Sequence, residues 1–222
     1  MKNWIKNNRG FIIFMLCLGL LRTAVADWNP IPSGSMRPNL LEGDVVLVNR
    51  LAYDLKLPLT DTVLVHLGEP QRSDIVTFSS PADGARLIKR LIAVPGDVVE
   101  MRNEVLWING QVADYGDAEA VLEPTEQGGA IAATRLTEKL GNTQRRVQLL
   151  SGVKARSSFG PLTVPADHYL VLGDNRDNSA DSRYIGFMPR RLLIGHAHRV
   201  LLSADIKGHW APRFERFWRS LS

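Results

Sequence analysis

Short runs of β-branched and aliphatic residues, separated by tight-turn pairs, constrain the fold of this chain more than any other feature. The runs lie at residues 44–49, 74–78, 86–94, 97–101 and 168–172, between Gly-Asp, Pro-Gly and Asn-Gly pairs. A further run, EVLWINGQV, contains an Asn-Gly pair typical of a two-residue hairpin. No long stretch after the N-terminus and before the C-terminus has helical periodicity. The sequence therefore predicts an all-β fold, mostly antiparallel sheet.

An apolar segment near the N-terminus breaks this pattern. Residues 11–21 (FIIFMLCLGLL) are uncharged, three basic residues precede them, and Arg22 follows. Basic residues ahead of an apolar run hold that end in the cytoplasm, so the remainder is expected on the far side. The run is shorter than the roughly 20 residues of helix that span a bilayer, but flanking residues can extend it. A cleaved signal peptide is the alternative, because residues 24–26 (AVA) are small at the positions read by a signal peptidase.

Two later regions also depart from the strand pattern. Residues 114–161 are richer in Gly, Thr, Gln and charge, which indicates a variable insertion or small sub-domain. In residues 212–222 four apolar side chains follow helical spacing, with arginines at other positions, and so predict a short C-terminal amphipathic helix. These four are Phe214, Phe217, Trp218 and Leu221. Packing of this helix on the sheet and insertion among lipid headgroups both fit the pattern.

Charge and the rarer residues exclude several classes of function. The net charge is +4, but Lys and Arg are scattered, which favours a solvated surface tolerant of anionic lipid over a nucleic-acid face. The single cysteine, Cys17, excludes an intrachain disulfide. His196 and His198 form an H-x-H pair without an apparent third ligand, so no metal site is predicted.

The first segment with chemical potential is IPSGSMRPNLLEGD, residues 31–44. Ser33 and Ser35 flank a glycine, and two prolines stiffen the loop. A hydroxyl nucleophile needs a fixed position with backbone N–H groups nearby to receive an oxyanion. A Ser-Gly-Ser turn meets that requirement, although many ordinary loops contain the same residues.

The second segment is RLIKRLIAVPGD, residues 86–97. Strand periodicity places Lys89 on one face between Leu87 and Leu91. Burial among apolar groups lowers the pKa of a lysine and leaves the amine neutral, as a general base requires. A lysine that extends its amine to solvent is the competing interpretation. Ser-Lys pairs are a known variant of the serine triad.

The third segment is GDNRDNSADSRYIGFMP, residues 173–189. Its aspartates invite a metal interpretation, but the spacing of an EF-hand is absent and Arg176 and Arg183 oppose a cation. Internal pairing between aspartate and arginine accounts for the composition better.

Taken in this order, the three segments resemble the bacterial type I signal peptidases, the Ser-Lys dyad leader peptidase family. The resemblance covers residues 22 to about 203, except 114–161, where that family is variable. It implies a signal-peptidase-like β-domain in which Ser35 is the nucleophile and Lys89 the general base. It also implies that Ser33 completes the oxyanion hole with the Ser35 N–H, and that Ser179 orients the Lys89 amine.

The same resemblance implies four supporting residues. Asp181 and Arg183 are expected to form a structural ion pair near the site. Ile31 and Ile88 are expected to line shallow substrate pockets for small side chains, one and three residues before the cut.

The resemblance further implies how the chain is arranged at a membrane. Residues 1–10 are expected to be a cytoplasmic tail, 11–26 an uncleaved transmembrane helix that anchors the chain, and 27–222 the catalytic domain. That domain is then on the periplasmic or extracytoplasmic side of the inner membrane. The expected partners are exported precursors bearing signal peptides, and membrane lipid. No cofactor, metal or nucleic acid is expected.

Two alternatives remain open on the sequence. A specialised peptidase that matures one substrate, such as a conjugation pilin, would use the same chemistry. A catalytically inactive, membrane-tethered assembly domain belongs to another class. Retention of Ser33, Ser35, Lys89 and Ser179 together disfavours it.

Overall fold

A computed structural model describes residues 2–57, 60, 62–125 and 129–221. Over these residues the chain forms three α-helices, α1 (Lys2–Asn7), α2 (Arg9–Ala24) and α3 (Ser182–Ile185). It also forms strands that account for most of its regular structure. In chain order these are β1 (Ala26–Pro30), β2 (Asp44–Asn49), β3 (Asp54–Lys56), β4 (Val63–His66), β5 (Ile75–Ser79), β6 (Arg86–Ala93), β7 (Val98–Arg102), β8 (Val105–Ile108), β9 (Gln111–Val112), β10 (Asp114–Pro124), β11 (Ala130–Leu140), β12 (Thr143–Leu150), β13 (Phe159–Thr163), β14 (His168–Leu172), β15 (Met188–Pro189) and β16 (Leu193–Ser203).

The main sheet has seven strands in the order β1-β2-β16-β5-β6-β14-β15, and each neighbouring pair is antiparallel. A second sheet of four strands has the order β13-β7-β8-β9, and β3 pairs with β4. The prediction of a mostly antiparallel β fold is confirmed. The predicted runs and hairpin coincide with β2, β5 to β9 and β14 because β-branched residues and turn pairs act locally.

Apolar clusters cover both faces of the main sheet. Adjacent residues of β5 belong to different clusters, since Ile75 packs with Met36 and Val46 whereas Val76 packs with Leu91. Side chains of consecutive strand residues point to opposite faces, so the sheet has a core on each side. The strands of this sheet are therefore packed against apolar side chains on both faces.

The predicted insertion forms an antiparallel sheet of its own. Strands β10, β11 and β12 pair in that order, and β12 ends at Leu150. The last residues of the predicted insertion, up to 161, do not belong to this sheet, because β13 pairs with β7 in the second sheet. Buried ion pairs stabilise the inserted sheet; Glu138 and Arg145, for example, are cross-strand neighbours. This explains the weak apolar alternation of its sequence.

The predicted C-terminal amphipathic helix is wrong. Residues 212–221 contain a single 3₁₀ turn, Phe214–Arg216, and otherwise run beside β16. The backbone N–H of Val200 donates to the carbonyl of Arg219 at 2.9 Å, and Leu221 donates to His198. The tertiary structure overrides the helical spacing. The second half of β16 extends past the residues that pair with β5, so its backbone on that side needs other hydrogen-bond partners, and the C-terminal residues supply them.

At the other end of the chain, α2 leads directly into β1. Arg22 donates to Asp27 at 3.0 Å and stacks on the ring of Trp28 at 4.5 Å, which ties the end of the helix to the sheet. Within the described part of the chain, no helix combines the length and the apolar character needed to cross a membrane.

Candidate active site

Ser35 lies in a 3₁₀ turn formed by Gly34–Met36. Ser33 enters this turn in an extended conformation, and the N–H of Arg37 closes it on the carbonyl of Gly34 at 3.1 Å. Met36 is fully buried in the same apolar cluster as Ile31, so both sides of the turn are fixed in the core. The turn therefore presents the Ser35 hydroxyl from a rigid backbone.

Lys89 approaches this hydroxyl from β6. Its Nζ donates a hydrogen bond to Ser35 Oγ at 2.6 Å, and the residue is 3% exposed. Leu87 and Leu91, two residues away on either side, pack in one apolar cluster. The structure thus brings together the two residues that the sequence assigned as nucleophile and base, although 54 positions separate them.

The environment favours the neutral amine. Burial lowers the pKa of Lys89 from 10.5 to about 8, although the negative charges of Asp181 and Asp174 oppose this change. At pH 7 roughly one lysine in ten is then uncharged, compared with fewer than about one in a thousand at the ordinary pKa. The buried amine is therefore available as a base near neutral pH.

The loop after β14 supplies the polar residues around the dyad. Asp181 and Arg183 form a buried ion pair with Nη2 and Oδ2 2.9 Å apart, and Asp181 also accepts from the Gly173 N–H at 3.0 Å. Asp181 caps α3 by accepting from the N–H of Arg183. These contacts hold the loop in one conformation beside Lys89.

Ser179 lies close to the turn that carries Ser35 but makes no hydrogen bond to Lys89 in this structure. Its Oγ is buried and has no hydrogen-bond partner. A Cβ added to Gly173 would overlap this hydroxyl and would lie 2.6 Å from the carbonyl oxygen of Ser35. Glycine at 173 thus allows the Ser179 hydroxyl and the Ser35 backbone to approach each other.

Three further predicted residues surround the turn. Ile31 is buried and Ile88 is half-buried, and both belong to the cluster that contains Met36. Ser33 is exposed, and its hydroxyl makes no capping hydrogen bond to the 3₁₀ turn. Two apolar side chains that pack with Met36, and the exposed hydroxyl of Ser33, therefore flank the turn that carries Ser35.

Comparison with known proteins decides the family of the chain. The family model described as "Signal peptidase, peptidase S26" matches residues 1–202. The chain belongs to the S26 signal peptidase family. It is similar to a protein named signal peptidase I from Pseudomonas aeruginosa, with 35% identity over 96% of this chain and 78% of the relative.

Two further similar proteins have lower sequence identity to this chain. A protein named probable signal peptidase I-2 from Synechocystis is 31% identical, over 87% of this chain and 71% of its own length. A crystal structure of a signal peptidase I from Enterococcus faecalis has 32% identity and a TM-score of 0.35, and the match covers 59% of this chain and 97% of that one.

Two residues that hold the site of this S26 peptidase were not identified from the sequence. Asn175 donates from Nδ2 to the carbonyl of Gly34 at 3.0 Å and from its backbone N–H to the carbonyl of Ser35 at 3.1 Å. Arg90, fully buried beside Lys89 in β6, forms a bidentate pair with Asp174 at 2.8 and 2.9 Å. Arg90 could have been identified from the sequence, because it is a charged residue next to Lys89 in the apolar run 86–94.

The inserted sheet also contacts this peptidase site. The N–H of Gln148 donates to the carbonyl of Asp174 at 2.8 Å, and the N–H of Arg176 donates back to Gln148 at 2.9 Å. The N–H of Leu150 donates to Asp177 Oδ2 at 2.7 Å. Strand β12 therefore supports the loop that contacts the turn carrying Ser35.

The histidine pair lies on β16, two strands from Lys89, because Val76 of β5 pairs with both His196 and Lys89. His196 and His198 are two residues apart on β16, with ring centroids 6.4 Å apart. In the parts of the chain that are described, no three His, Cys, Asp or Glu side chains are grouped so that they could hold a metal ion.

Proposed function

We propose that this S26 peptidase is a signal peptidase I that removes N-terminal signal peptides from exported precursors, with Ser35 as nucleophile and Lys89 as general base. The observation that carries the proposal is the 2.6 Å contact between a buried Lys89 Nζ and Ser35 Oγ. Nucleophile and base must lie within hydrogen-bond distance, and the base must be neutral when it acts. The lowered pKa of Lys89 satisfies the second condition.

The reaction then proceeds in two steps. Neutral Lys89 takes the Ser35 proton as Oγ attacks the scissile carbonyl, and the new oxyanion is received by the Ser35 N–H and the Ser33 hydroxyl. The ammonium of Lys89 returns the proton to the leaving amine, which departs as the N-terminus of the mature protein. Water deprotonated by Lys89 then attacks the acyl-enzyme, releases the signal peptide and regenerates Ser35.

The precursor binds as an extended segment between β1 and the first half of β6. Strand β1 is at the edge of the main sheet, so its outer backbone groups can pair with a substrate strand. Arg86 of β6 donates to Asp27 and Asn29 of β1 at 2.9 and 2.8 Å, which supports the closeness of these two elements. Ile31 and Ile88 then restrict the residues one and three before the cut to small side chains.

Ser179 and the pair Asp181–Arg183 have supporting roles in this proposal. The Ser179 hydroxyl orients the Lys89 amine after a small rotation, since its Oγ is buried without a partner. The ion pair keeps Asp181 close enough for its charge to act on Lys89. None of the proposed steps needs a metal or an organic cofactor.

The chain acts at the inner membrane, with a single anchor in residues 11–26 and the catalytic domain on the periplasmic side. Basic residues ahead of the apolar run support this orientation. Membrane lipid is also a partner of the C-terminal region, where Trp210, Phe214 and Trp218 are 70%, 71% and 62% exposed. Exposed aromatic side chains of this kind suit the headgroup boundary.

The test is mass spectrometry of a precursor incubated with the full chain in detergent. The wild-type chain is expected to release the signal peptide after a small-x-small sequence. Ser35→Ala and Lys89→Ala should each lower turnover by at least about 10³-fold. Lys154→Ala, at an exposed lysine, serves as the matched control. Near-normal turnover by Lys89→Ala would contradict the dyad.

A further inference from the structure

A cavity of about 350 Å³ opens beside the turn that carries Ser35. Its lining includes Ser33, Gly34 and Asn175 near Ser35, and Ile131 and Leu150 of the inserted sheet. The side chains proposed to bind the residues before the cut, Ile31 and Ile88, do not contribute to it. The cavity therefore lies against the other part of the nucleophile turn.

The path of an extended substrate places the residues after the cut near this cavity. Residues before the scissile bond lie against Ile31 and Ile88, and the chain must leave Ser35 on a different side. An extended peptide advances about 3.3 Å per residue. The first two or three residues after the cut are thus long enough to reach from Ser35 into a neighbouring cavity.

Two polar atoms of cavity-lining residues have no hydrogen-bond partner although they are buried. They are Asn175 Oδ1, an acceptor, and Gln148 Nε2, a donor. The orientation of each amide is set by its other atom, since Asn175 Nδ2 donates to Gly34 and Gln148 Oε1 accepts from Arg135 Nε at 3.2 Å. Both side chains are enclosed in protein, so they determine the shape of the cavity wall and do not themselves reach a ligand.

The charged residues of the cavity are paired with each other. Arg37 lies 2.8 Å from Glu42 and also binds Glu123, and Lys207 lies 2.8 Å from Glu42. Little charge is left to attract a charged side chain. Ile131, in contrast, offers an apolar surface. An uncharged substrate side chain fits this lining best.

We infer that this cavity is the subsite for the first residues of the mature protein. Ile131 contacts an uncharged side chain of that segment, and the buried side chains of Gln148 and Asn175 form the wall behind it. The inserted sheet thereby helps to determine which precursors are cut efficiently. The inference rests on the proposed function and adds a specificity element to it.

The test compares two substrates of the full chain in detergent. One peptide continues for four residues after the cut, with leucine at the second position; the other ends at the cut in a fluorogenic aminomethylcoumarin amide. Ile131→Asp should lower kcat/KM at least about fivefold on the long peptide and less than twofold on the short one. Val153→Asp, at a second apolar residue that lines the cavity, should lower it by a similar factor on the long peptide only.

Leu122→Asp is the matched control, because Leu122 is 74% exposed on β10 of the same sheet and does not line the cavity. It should leave both substrates unaffected. Equal losses of Ile131→Asp and Val153→Asp on the two substrates, or no loss on either, would overturn the inference while leaving the peptidase activity established. Failure of the wild-type chain to cut both substrates would overturn the proposed function and the inference with it.

Discussion

The side chain of Asn175 donates a hydrogen bond to the carbonyl oxygen of Gly34 at 3.0 Å. In a trans peptide the C=O and the following N–H point in opposite directions. The bond from Asn175 therefore also determines where the N–H of Ser35 points. That N–H is the backbone donor of the proposed oxyanion hole, so Asn175 is a positioning residue for it.

Asn175→Ala should lower kcat about 10- to 100-fold and leave KM nearly unchanged, because the N–H of Ser35 stabilises charge that develops only in the transition state. Steady-state kinetics on a signal-peptide substrate measure both constants. Asn142→Ala, at an exposed asparagine in the turn between β11 and β12, should behave like the wild type. A rise in KM at constant kcat would show that Asn175 acts in substrate binding instead.

The pH dependence of cleavage should follow the titration of Lys89. Only the neutral amine is a base, and burial places its pKa at about 8. kcat/KM should therefore rise about tenfold per pH unit below pH 8 and level off above it. Because the charge of Asp181 raises the pKa of Lys89, Asp181→Asn should move the midpoint to lower pH.

The control for this profile is Asp83→Asn, at a fully exposed carboxylate. It should leave the midpoint unchanged. A midpoint near the ordinary lysine value of 10.5 in the wild type would contradict a desolvated base.

Lys89→Met should stabilise the folded protein at neutral pH while it abolishes cleavage. The pKa of Lys89 is lower in the folded state than in the unfolded chain, so the unfolded state binds more protons between pH 8 and 10.5. The free energy of unfolding of the wild type should rise with pH across that window. At pH 7 the variant should be more stable by about 1–3 kcal/mol.

Urea unfolding of both proteins at pH 7 and pH 10 measures this difference. The advantage of the variant should shrink at the higher pH, because the amine is already neutral in the folded wild type and pH 10 is close to the pKa of 10.5 that it has in the unfolded chain. An advantage that stays constant with pH would mean that packing, and not ionisation, causes it.

Glu138 should be essential for the stability of the inserted sheet. Burial by itself raises the pKa of this carboxyl, but the charges of Arg176 and Arg145 outweigh it and lower the pKa to about 2. Glu138→Gln leaves two buried guanidinium groups without their counter-ion and should cost about 3–5 kcal/mol. Thermal or urea unfolding measures the loss.

The matched control is Glu119→Gln, because the pair of Glu119 with Arg146 is largely exposed. It should cost less than about 1 kcal/mol. In the wild type, the contribution of Glu138 is present above its ordinary pKa and should disappear as the pH falls through 2. Equal costs for the two variants would contradict a special role for the buried pair.

The aromatic side chains of the C-terminal region should contact lipid. In vesicles whose acyl chains carry bromine, the fluorescence of Trp210 and Trp218 should be quenched, since both rings are more than half exposed. Trp210→Ser should remove a quenched component of the emission. Trp107→Phe, on β8 of the second sheet, should remove an unquenched one. Equal quenching in all three proteins would exclude contact through Trp210.

Local patterns in the sequence were sufficient for the strands and for the resemblance to signal peptidases. Alternating residues in β6 placed Lys89 between Leu87 and Leu91, because strand side chains alternate whatever the rest of the fold does. Turn pairs such as Asn-Gly located the hairpin of β8 and β9 for the same reason. The serine, lysine and Asp-Asn-Arg segments were recognised as short contiguous motifs.

The tertiary structure alone decided the features that join distant segments. The C-terminal residues have helical spacing but lie along β16, because an otherwise unpaired strand edge there exchanges backbone hydrogen bonds with them. The contacts of Asn175 with Gly34, and of Arg90 with Asp174, link positions that no local pattern relates. Hydrogen bonding and burial depend on which segments meet in space, so these contacts, and the 2.6 Å between Lys89 and Ser35, required the folded chain.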